Sequence, residues 1–134
     1  MPAVMLDSDI CIYVMKGRPA AVSRRLARID PEDVFVSCIA VAELWTGIFK
    51  SALRERNQIE LERFLSGVRI LDWPAAAVVR YGSVRAHLER RGTPIGEMDL
   101  LIAAHALHEN LPLITNNREE FRRVPGLKVE SWLR

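Results

Sequence analysis

The sequence of 134 residues contains no long hydrophobic run. Its longest stretches without a charged side chain, Val34–Ala42 and Leu100–His108, have nine residues each, whereas a helix that crosses a bilayer needs about 20 apolar residues. A transmembrane segment is therefore excluded. The first 15 residues lack a basic segment before their apolar stretch and include Asp7 and Asp9, so we expect no secretory signal and a cytoplasmic protein.

The sequence also has few cysteines and a small net charge. The two cysteines, Cys11 and Cys38, match no metal-ligand spacing, and their apolar surroundings predict buried free thiols in a reducing compartment. A net charge of +2 does not by itself indicate a nucleic-acid partner. However, 16 of the 19 basic residues are arginine, the side chain best suited to bidentate contact with phosphate. The apolar fraction of 49% excludes a disordered chain.

Short apolar runs alternate with helical patterns along the chain. The predicted strands are Val4–Leu6, Val34–Ser37, Arg69–Leu71, Pro112–Ile114 and Val129–Trp132. The predicted helices are Asp9–Met15 (capped by Ser8 or Asp9), Ala20–Arg28, Ile39–Phe49, Leu53–Leu65, a long helix opened by Pro74, and Asp99–Asn110. Continuous apolar strands separated by helices indicate a parallel sheet covered on both faces. The sequence therefore predicts one α/β domain, a three-layer α/β/α sandwich with short central strands.

Several of the 17 acidic residues have basic neighbours at helical spacing. Glu60 lies four residues after Arg56 and three before Arg63, and Glu89 lies four residues after Arg85. Such spacing brings opposite charges together on one helix face. We interpret these acids as parts of solvated surfaces without a function.

Three other acids lack basic neighbours of this kind. Glu43 and Asp99 have only uncharged residues three and four positions away on either side, and Asp7 directly follows the strand Val4–Leu6. An ionised carboxylate buried without a partner is costly. Because ligands gather at the carboxyl ends of parallel strands, we expect the three acids to meet there around Mg²⁺ or Mn²⁺. The alternative is that Asp7 and Asp99 cap helices and Glu43 pairs with a distant arginine.

A fourth carboxylate is found in the segment Thr115–Phe121. Thr115 ends a predicted strand, Asn117 is able to hydrogen-bond a water or an acid, and Glu120 precedes Phe121. A capping turn held by the Asn and Thr side chains accounts for the same spacing.

Histidines and aromatic residues provide little evidence of a site. His105 and His108 lack a third zinc ligand and an HExxH pattern, so we interpret both as polar surface residues. Trp45, Ile48 and Phe49 form an apolar cluster just after Glu43, which predicts a part of the core or a surface that binds a partner.

Four blocks of sequence occur in order between Met5 and Trp132. They read MLDSDICIYVMKG, VSCIAVAELWTGI, PIGEMDLLIAAHAL and LPLITNNREEFRRVPGLKVESW. Together the blocks resemble the PIN-domain ribonucleases and, more narrowly, the VapC toxins of bacterial toxin–antitoxin pairs. The resemblance implies a PIN fold over residues 1–134. It also implies Mg²⁺- or Mn²⁺-dependent endonucleolytic cleavage of RNA, a homodimer and a cognate VapB-like antitoxin. At the family level the substrate is a small structured RNA such as tRNA.

The resemblance also implies roles for individual acids. Asp7 and Asp99 correspond to ligands of the principal metal ion, while Glu43 and Glu120 complete or orient its coordination sphere. The residues expected to support these acids are Ser8, Thr115 and Asn117.

Two departures from the family pattern stand out. Ala40 occupies a position that is Thr or Ser in many relatives. Asn117, at a position that is Asp or Asn in relatives, is not an acid. Glu120 is then the remaining candidate for the fourth carboxylate, and the number of metal ions stays open.

The reaction expected is hydrolysis of a phosphodiester by water activated at the metal, because no residue suits a covalent nucleophile and no histidine is placed as a base. Two alternatives remain. One is a PIN module that binds RNA or antitoxin without turnover. The other is a phosphatase of the haloacid-dehalogenase kind, since Asp7-Ser8-Asp9 mimics its pair of aspartates.

Overall fold

A five-stranded parallel sheet forms the centre of the protein. The computed structural model describes residues 2–133. Its strands are β1 (Val4–Leu6), β2 (Val34–Ser37), β3 (Arg69–Leu71), β4 (Leu113–Ile114) and β5 (Val129–Glu130). They run in the order β3-β2-β1-β4-β5, so β1 is central and has neighbours on both sides. All three residues of β1 are buried, which explains why this strand is a continuous apolar run.

Helices flank the sheet and complete the predicted α/β/α sandwich. They are α1 (Ser8–Lys16), α2 (Ala20–Ala27), α3 (Cys38–Lys50), α4 (Arg54–Leu65), α5 (Val78–Arg90), α6 (Glu97–Glu109) and the short α7 (Arg118–Phe121). Two helix ends use residues that tolerate a left-handed backbone: Gly17 after α1, with φ of 70°, and Asn110 after α6, with φ of 56°. No helix within residues 2–133 has the length and apolar character needed to cross a membrane.

Several predicted helix starts were wrong. The cap of α1 is Asp7 rather than Ser8 or Asp9, because Asp7 retains extended backbone angles and its carboxylate accepts the Ser8 N–H at 2.8 Å. Helix α6 begins at Glu97 rather than at Asp99, since the extended Gly96 occupies the cap position. Pro74 opens a 3₁₀ turn before α5 rather than one continuous helix.

The prediction of a surface histidine at position 105 was also wrong. His105 has no exposed surface, whereas His108, one turn further along α6, is exposed. The reason is that residues 102–106 of α6 are all buried, so the middle of this helix has no solvated face. A single polar residue inside an apolar run is thus buried together with its neighbours.

The two cysteines differ in burial, and so do the residues of the apolar cluster after Glu43. Cys11 is buried and Cys38 is half-buried, and both are free thiols. Ile48 belongs to the core, while Phe49 is 58% exposed and stacks on Trp45 with ring centroids 5.7 Å apart. The cluster therefore contributes to both the core and the surface.

Candidate metal centre

The topology of the sheet creates a crevice at the end of its central strand. The chain passes from β1 outward to β2 and β3, and then crosses to β4 on the other side of β1. Asp7 follows β1 and Thr115 follows β4, and the Asp7 N–H donates to the Ile114 carbonyl at 2.9 Å. Such reversal points are where parallel sheets place ligands, beyond the carboxyl ends of their strands.

Three carboxylates meet in this crevice. Asp7, Glu43 and Asp99 each present one oxygen, and these three oxygens lie within 4.8 Å of one another. Asp7 is 5% exposed, while the side chains from the middle of α3 and the first turn of α6 are half-buried. The structure thus brings together the three acids that lack basic neighbours in the sequence.

The cluster has no cationic partner within the described residues. The four ion pairs formed by residues 2–133 involve exposed acids elsewhere. One oxygen of Glu43 is buried and accepts no hydrogen bond. Converging negative charges without compensation are unfavourable. A set of carboxylate oxygens of this kind fits a hard divalent cation, which prefers oxygen ligands.

The pKa values of the three acids reflect the same imbalance. Burial, with the charge of Asp9 in addition, raises the pKa of Asp7 to about 6. Burial and the neighbouring Glu120 raise the pKa of Asp99 to about 7. Burial also raises the pKa of Glu43, against an opposing effect of the Ser8 hydroxyl. Without a cation, the cluster therefore retains protons near neutral pH, and a cation that binds must displace them.

A chain of hydrogen bonds links Asp7 to the start of α6. The Thr115 hydroxyl donates to Asp7 Oδ2 at 2.8 Å and accepts the Asn117 N–H at 3.0 Å. The Asn117 side-chain amide donates to Glu120 Oε2 at 2.8 Å, and Glu120 Oε1 accepts the Gly96 N–H at 2.7 Å. The Thr115 hydroxyl and the Asn117 amide thus hold the turn before α7, as the capping-turn alternative predicts, although Asn117 makes no side-chain cap to α7. The same contacts connect Asp7 to the first turn of α6.

Glu120 differs from the three clustered acids in its surroundings. Burial acts to raise its pKa, but the Gly96 N–H and the Asn117 amide together bring the pKa below its ordinary value. Both of its oxygens accept protein hydrogen bonds. Glu120 thus contacts the residue before α6 and lies close enough to Asp99 to raise the pKa of that acid.

Asp9 was not predicted as a site residue. Its Oδ2 accepts the Asn116 N–H at 3.0 Å, while its Oδ1 is buried without a partner. Asp9 lies in the first turn of α1, and its charge acts on both Asp7 and Glu43. The available signal was the segment Asp7-Ser8-Asp9, but it predicted a helix start with Ser8 or Asp9 as the cap, or the aspartate pair of a phosphatase.

Comparisons with known proteins agree with this geometry. The PIN domain family matches residues 4–127. Ribonuclease VapC2 of Rickettsia felis is 42% identical over 129 residues, which cover 96% of both chains. The tRNA(fMet)-specific endonuclease VapC of Shigella flexneri is 41% identical over 128 residues, again 96% of each chain.

Solved structures give the same result. The chain aligns with VapBC2 from Rickettsia felis bound to a promoter DNA fragment at a TM-score of 0.91 and 40% identity, over 97% of this chain and 98% of that one. It aligns with DNA-bound VapBC from Salmonella typhimurium at a TM-score of 0.92 and 38% identity, over 98% and 99%. The chain belongs to the PIN domain family and, within it, to the VapC ribonucleases. The phosphatase alternative has no support from these matches.

Proposed function

We propose that this protein is a divalent-cation-dependent endoribonuclease and the toxin of a VapBC-type pair, formed by a single PIN domain over residues 1–134. The observation that carries the proposal is the cluster of Asp7, Glu43 and Asp99, whose oxygens lie within 4.8 Å without a cationic partner among the described residues. The cluster occurs in a chain that matches ribonucleases over 96% of its length.

Mg²⁺, with Mn²⁺ as a substitute, is the cation that such oxygen ligands favour. Asp7 and Asp99 are its proposed ligands, and Glu43 and Glu120 complete or orient the coordination sphere. When bound, a divalent cation supplies water activation and neutralises charge on a phosphate. Two donors fix Asp7 in place: the Ser8 N–H on Oδ1 and the Thr115 hydroxyl on Oδ2, each at 2.8 Å.

An arginine beside the site is suited to hold the RNA backbone. Arg123 Nη1 donates to the Pro94 carbonyl at 3.0 Å. The pKa of Glu120 is lowered first by hydrogen bonds, among them the one from the Gly96 N–H, and to a smaller extent by the charge of Arg123. The side chain is otherwise exposed. Arginine forms bidentate contacts with phosphate, so we assign Arg123 to the phosphate backbone next to the scissile bond.

A small structured RNA such as tRNA is the proposed substrate, since two relatives at 41% and 38% identity are named as tRNA(fMet)-specific endonucleases. Purified protein should cleave such an RNA at one position with Mg²⁺, as mapped by sequencing the product ends. EDTA and Asp7→Asn should each abolish cleavage. Undiminished cleavage under either condition contradicts the proposed site.

The exposed acid Glu89 offers a matched control. Glu89→Gln removes one exposed carboxylate that is not part of the cluster and should leave cleavage unchanged. If the wild-type protein binds Mn²⁺ in calorimetry but cleaves no RNA, the catalytically weak PIN module becomes the better description.

The proposed partners are a VapB-like antitoxin and a second copy of the chain, in the cytoplasm. An apolar groove of about 350 Å³ opens beside Glu43 and is lined by Ile12, Met15, Leu44 and Leu61. We assign it to the antitoxin, because an apolar segment bound there also covers Glu43. Induced expression should arrest growth, and co-expression of the reading frame next to this gene should relieve the arrest. Ile12→Glu should weaken that relief and leave RNA cleavage intact.

A further inference from the structure

A buried histidine on α6 bonds to the start of α3. His105 has no exposed surface, and its Nδ1 lies 2.8 Å from the Ser37 hydroxyl. Its Nε2 is buried without a hydrogen-bond partner. Burial lowers the pKa of His105, so the ring is neutral and carries one proton. A buried nitrogen without a partner is unfavourable, and an apolar side chain would avoid that penalty. Packing alone therefore does not explain a histidine here.

The hydrogen-bond pattern indicates which atom donates. Ser37 is the cap of α3, and its Oγ already accepts the Ile39 N–H at 3.2 Å. Its hydroxyl proton is then free to be donated to His105 Nδ1, which leaves a single unsatisfied group, the Nε2–H. The opposite arrangement leaves both the hydroxyl proton and the Nε2 lone pair unsatisfied. The hydroxyl is therefore the donor, and His105 is the acceptor that fixes the cap.

The Ser37–His105 bond lies at the same sequence spacing from both Glu43 and Asp99. Ser37 precedes Glu43 by six residues, and His105 follows Asp99 by six residues. Ser37 bonds His105 at 2.8 Å, and a carboxylate oxygen of Glu43 lies within 4.8 Å of one of Asp99. Helices α3 and α6 therefore run in opposite directions, with these two pairs as successive steps between them. At 1.5 Å per residue the steps are about 9 Å apart. A slide of α6 along α3 that breaks the Ser37–His105 bond therefore also changes the distance between the Glu43 and Asp99 carboxylates.

Trp73 provides a second connection between α3 and α6. Its indole N–H donates to the Leu101 carbonyl of α6 at 2.9 Å, and its backbone N–H donates to Cys38 Sγ at the start of α3 at 3.2 Å. The Ser37–His105 bond and Trp73 thus hold the same two helices by independent contacts.

We propose that His105 is a positioning residue: its bond to Ser37 sets the register of α6 against α3 and thereby the separation of the Glu43 and Asp99 carboxylates. The inference rests on the metal centre proposed above. His105 itself touches neither substrate nor cation, and its effect passes through the two helices.

The test is calorimetric titration of the variants with Mn²⁺, together with thermal denaturation in EDTA. His105→Leu should weaken Mn²⁺ binding at least about tenfold, as loss of a supporting contact does at metal sites, without lowering Tm in EDTA. His105→Asn, which keeps a polar atom at the δ position facing Ser37, should restore binding to within about threefold of wild type. The matched control is His108→Leu, which replaces an exposed histidine on the same helix and should bind Mn²⁺ like wild type.

Each other outcome overturns the inference. If His105→Leu lowers Tm but binds Mn²⁺ as wild type does, the histidine has a structural role only. If His105→Leu does not fold, Ser37→Ala and Trp73→Phe provide the measurement, and unchanged Mn²⁺ affinity in both contradicts the proposal. If wild-type protein binds no Mn²⁺, the proposed metal centre itself fails, which separates that failure from an error about His105.

Discussion

Glu60 on α4 and Glu89 on α5 each contact an arginine one helical turn away, whereas the three clustered acids at the carboxyl edge of the sheet contact no cation among residues 2–133. Arg85 Nε lies 2.9 Å from Glu89 Oε2, and Arg56 Nε lies 3.7 Å from Glu60 Oε1, with all four side chains at least 45% exposed. Asp7 is 5% exposed, and its nearest charged neighbours are other acids.

The contrast shows how environment separates structural from functional carboxylates. On the surface, water and a neighbouring arginine solvate the charge, and either partner is dispensable. At the sheet edge, burial and mutual repulsion raise the pKa values of Asp7 and Asp99 to about 6 and 7. If a cation compensates this repulsion, as proposed above, the clustered acids are sensitive to changes that the surface acids tolerate.

The largest expected effect comes from neutralising one clustered acid. Asp99→Asn should reduce Mg²⁺-dependent RNA cleavage by at least about 100-fold, because a neutral amide replaces a charged oxygen ligand. In EDTA the same variant should have a higher Tm than wild type, since a repulsive buried charge is gone. Initial rates and thermal denaturation measure the two effects. A lower Tm in EDTA at pH 8 would contradict the interpretation that repulsion dominates the empty cluster.

Lowering the pH should weaken cation binding by protonating the same acids. With the pKa of Asp99 at about 7, the ionised fraction falls about tenfold from pH 8 to pH 6, and Mn²⁺ affinity should fall with it. Calorimetry at both pH values, in buffers of different ionisation enthalpy, also counts the protons released. Equal affinity at the two pH values would show that Asp99 is already ionised at pH 6.

The pH dependence of stability in EDTA follows from the direction of the shifts. Folded-state pKa values of about 6 for Asp7 and 7 for Asp99 lie above the unfolded values. The protonated forms of both acids therefore stabilise the folded protein. This contribution to stability is fully present below about pH 4 and is lost as the pH rises through 6 and 7. Added Mg²⁺ should offset the loss at pH 8. Denaturation curves from pH 4 to 8 test this, and stability that rises over the range in EDTA would contradict it.

Removing one hydrogen bond of the site should have a smaller effect. Thr115→Val leaves Asp7 Oδ2 and the Asn117 N–H without their partner, which should lower the free energy of unfolding by about 1–3 kcal/mol. The control is Thr46→Val, because the exposed Thr46 hydroxyl donates only to the Ala42 carbonyl of its own helix. Its effect in urea denaturation should stay within about 0.5 kcal/mol. Similar losses for both variants would show that burial at Thr115 adds nothing.

The smallest effect is expected on the surface. Glu89→Gln breaks an exposed pair one turn apart and should shift Tm by less than about 2 °C at physiological salt. A larger shift would show that the surface acids are more tightly coupled to the fold than their exposure indicates.

Much of the fold follows from patterns within single elements. The strand bounds Val34–Ser37 and Arg69–Leu71 agree with the prediction. Glu43 and Asp99 were singled out because each lacks a cation at helical spacing, and Asp7 because it directly follows an apolar strand; both properties are visible along the chain. Glu120 was a candidate from its place before Phe121, its assignment to the metal centre came from the family resemblance, and its role remains a prediction.

Other features were missed because they depend on contacts between distant residues. The partner of His105 is Ser37, 68 positions away, and the donor to Asp7 Oδ2 is Thr115, 108 positions away. A helical pattern reports the neighbours of a residue on its own element and not those across the core. For that reason Asp9 was interpreted as a cap and His105 as a surface residue.

The amino-acid sequence by itself determined which segments form strands and helices and which acids are left without a cation on their own helix. Both are local properties, set by hydrophobic spacing and by charges within one turn. Only the tertiary structure decided that Asp7, Glu43 and Asp99 share one crevice, since that depends on the crossing from β3 to β4 and on the register of α3 against α6. The separation of charges in space, rather than along the chain, determines whether they repel or together hold a cation.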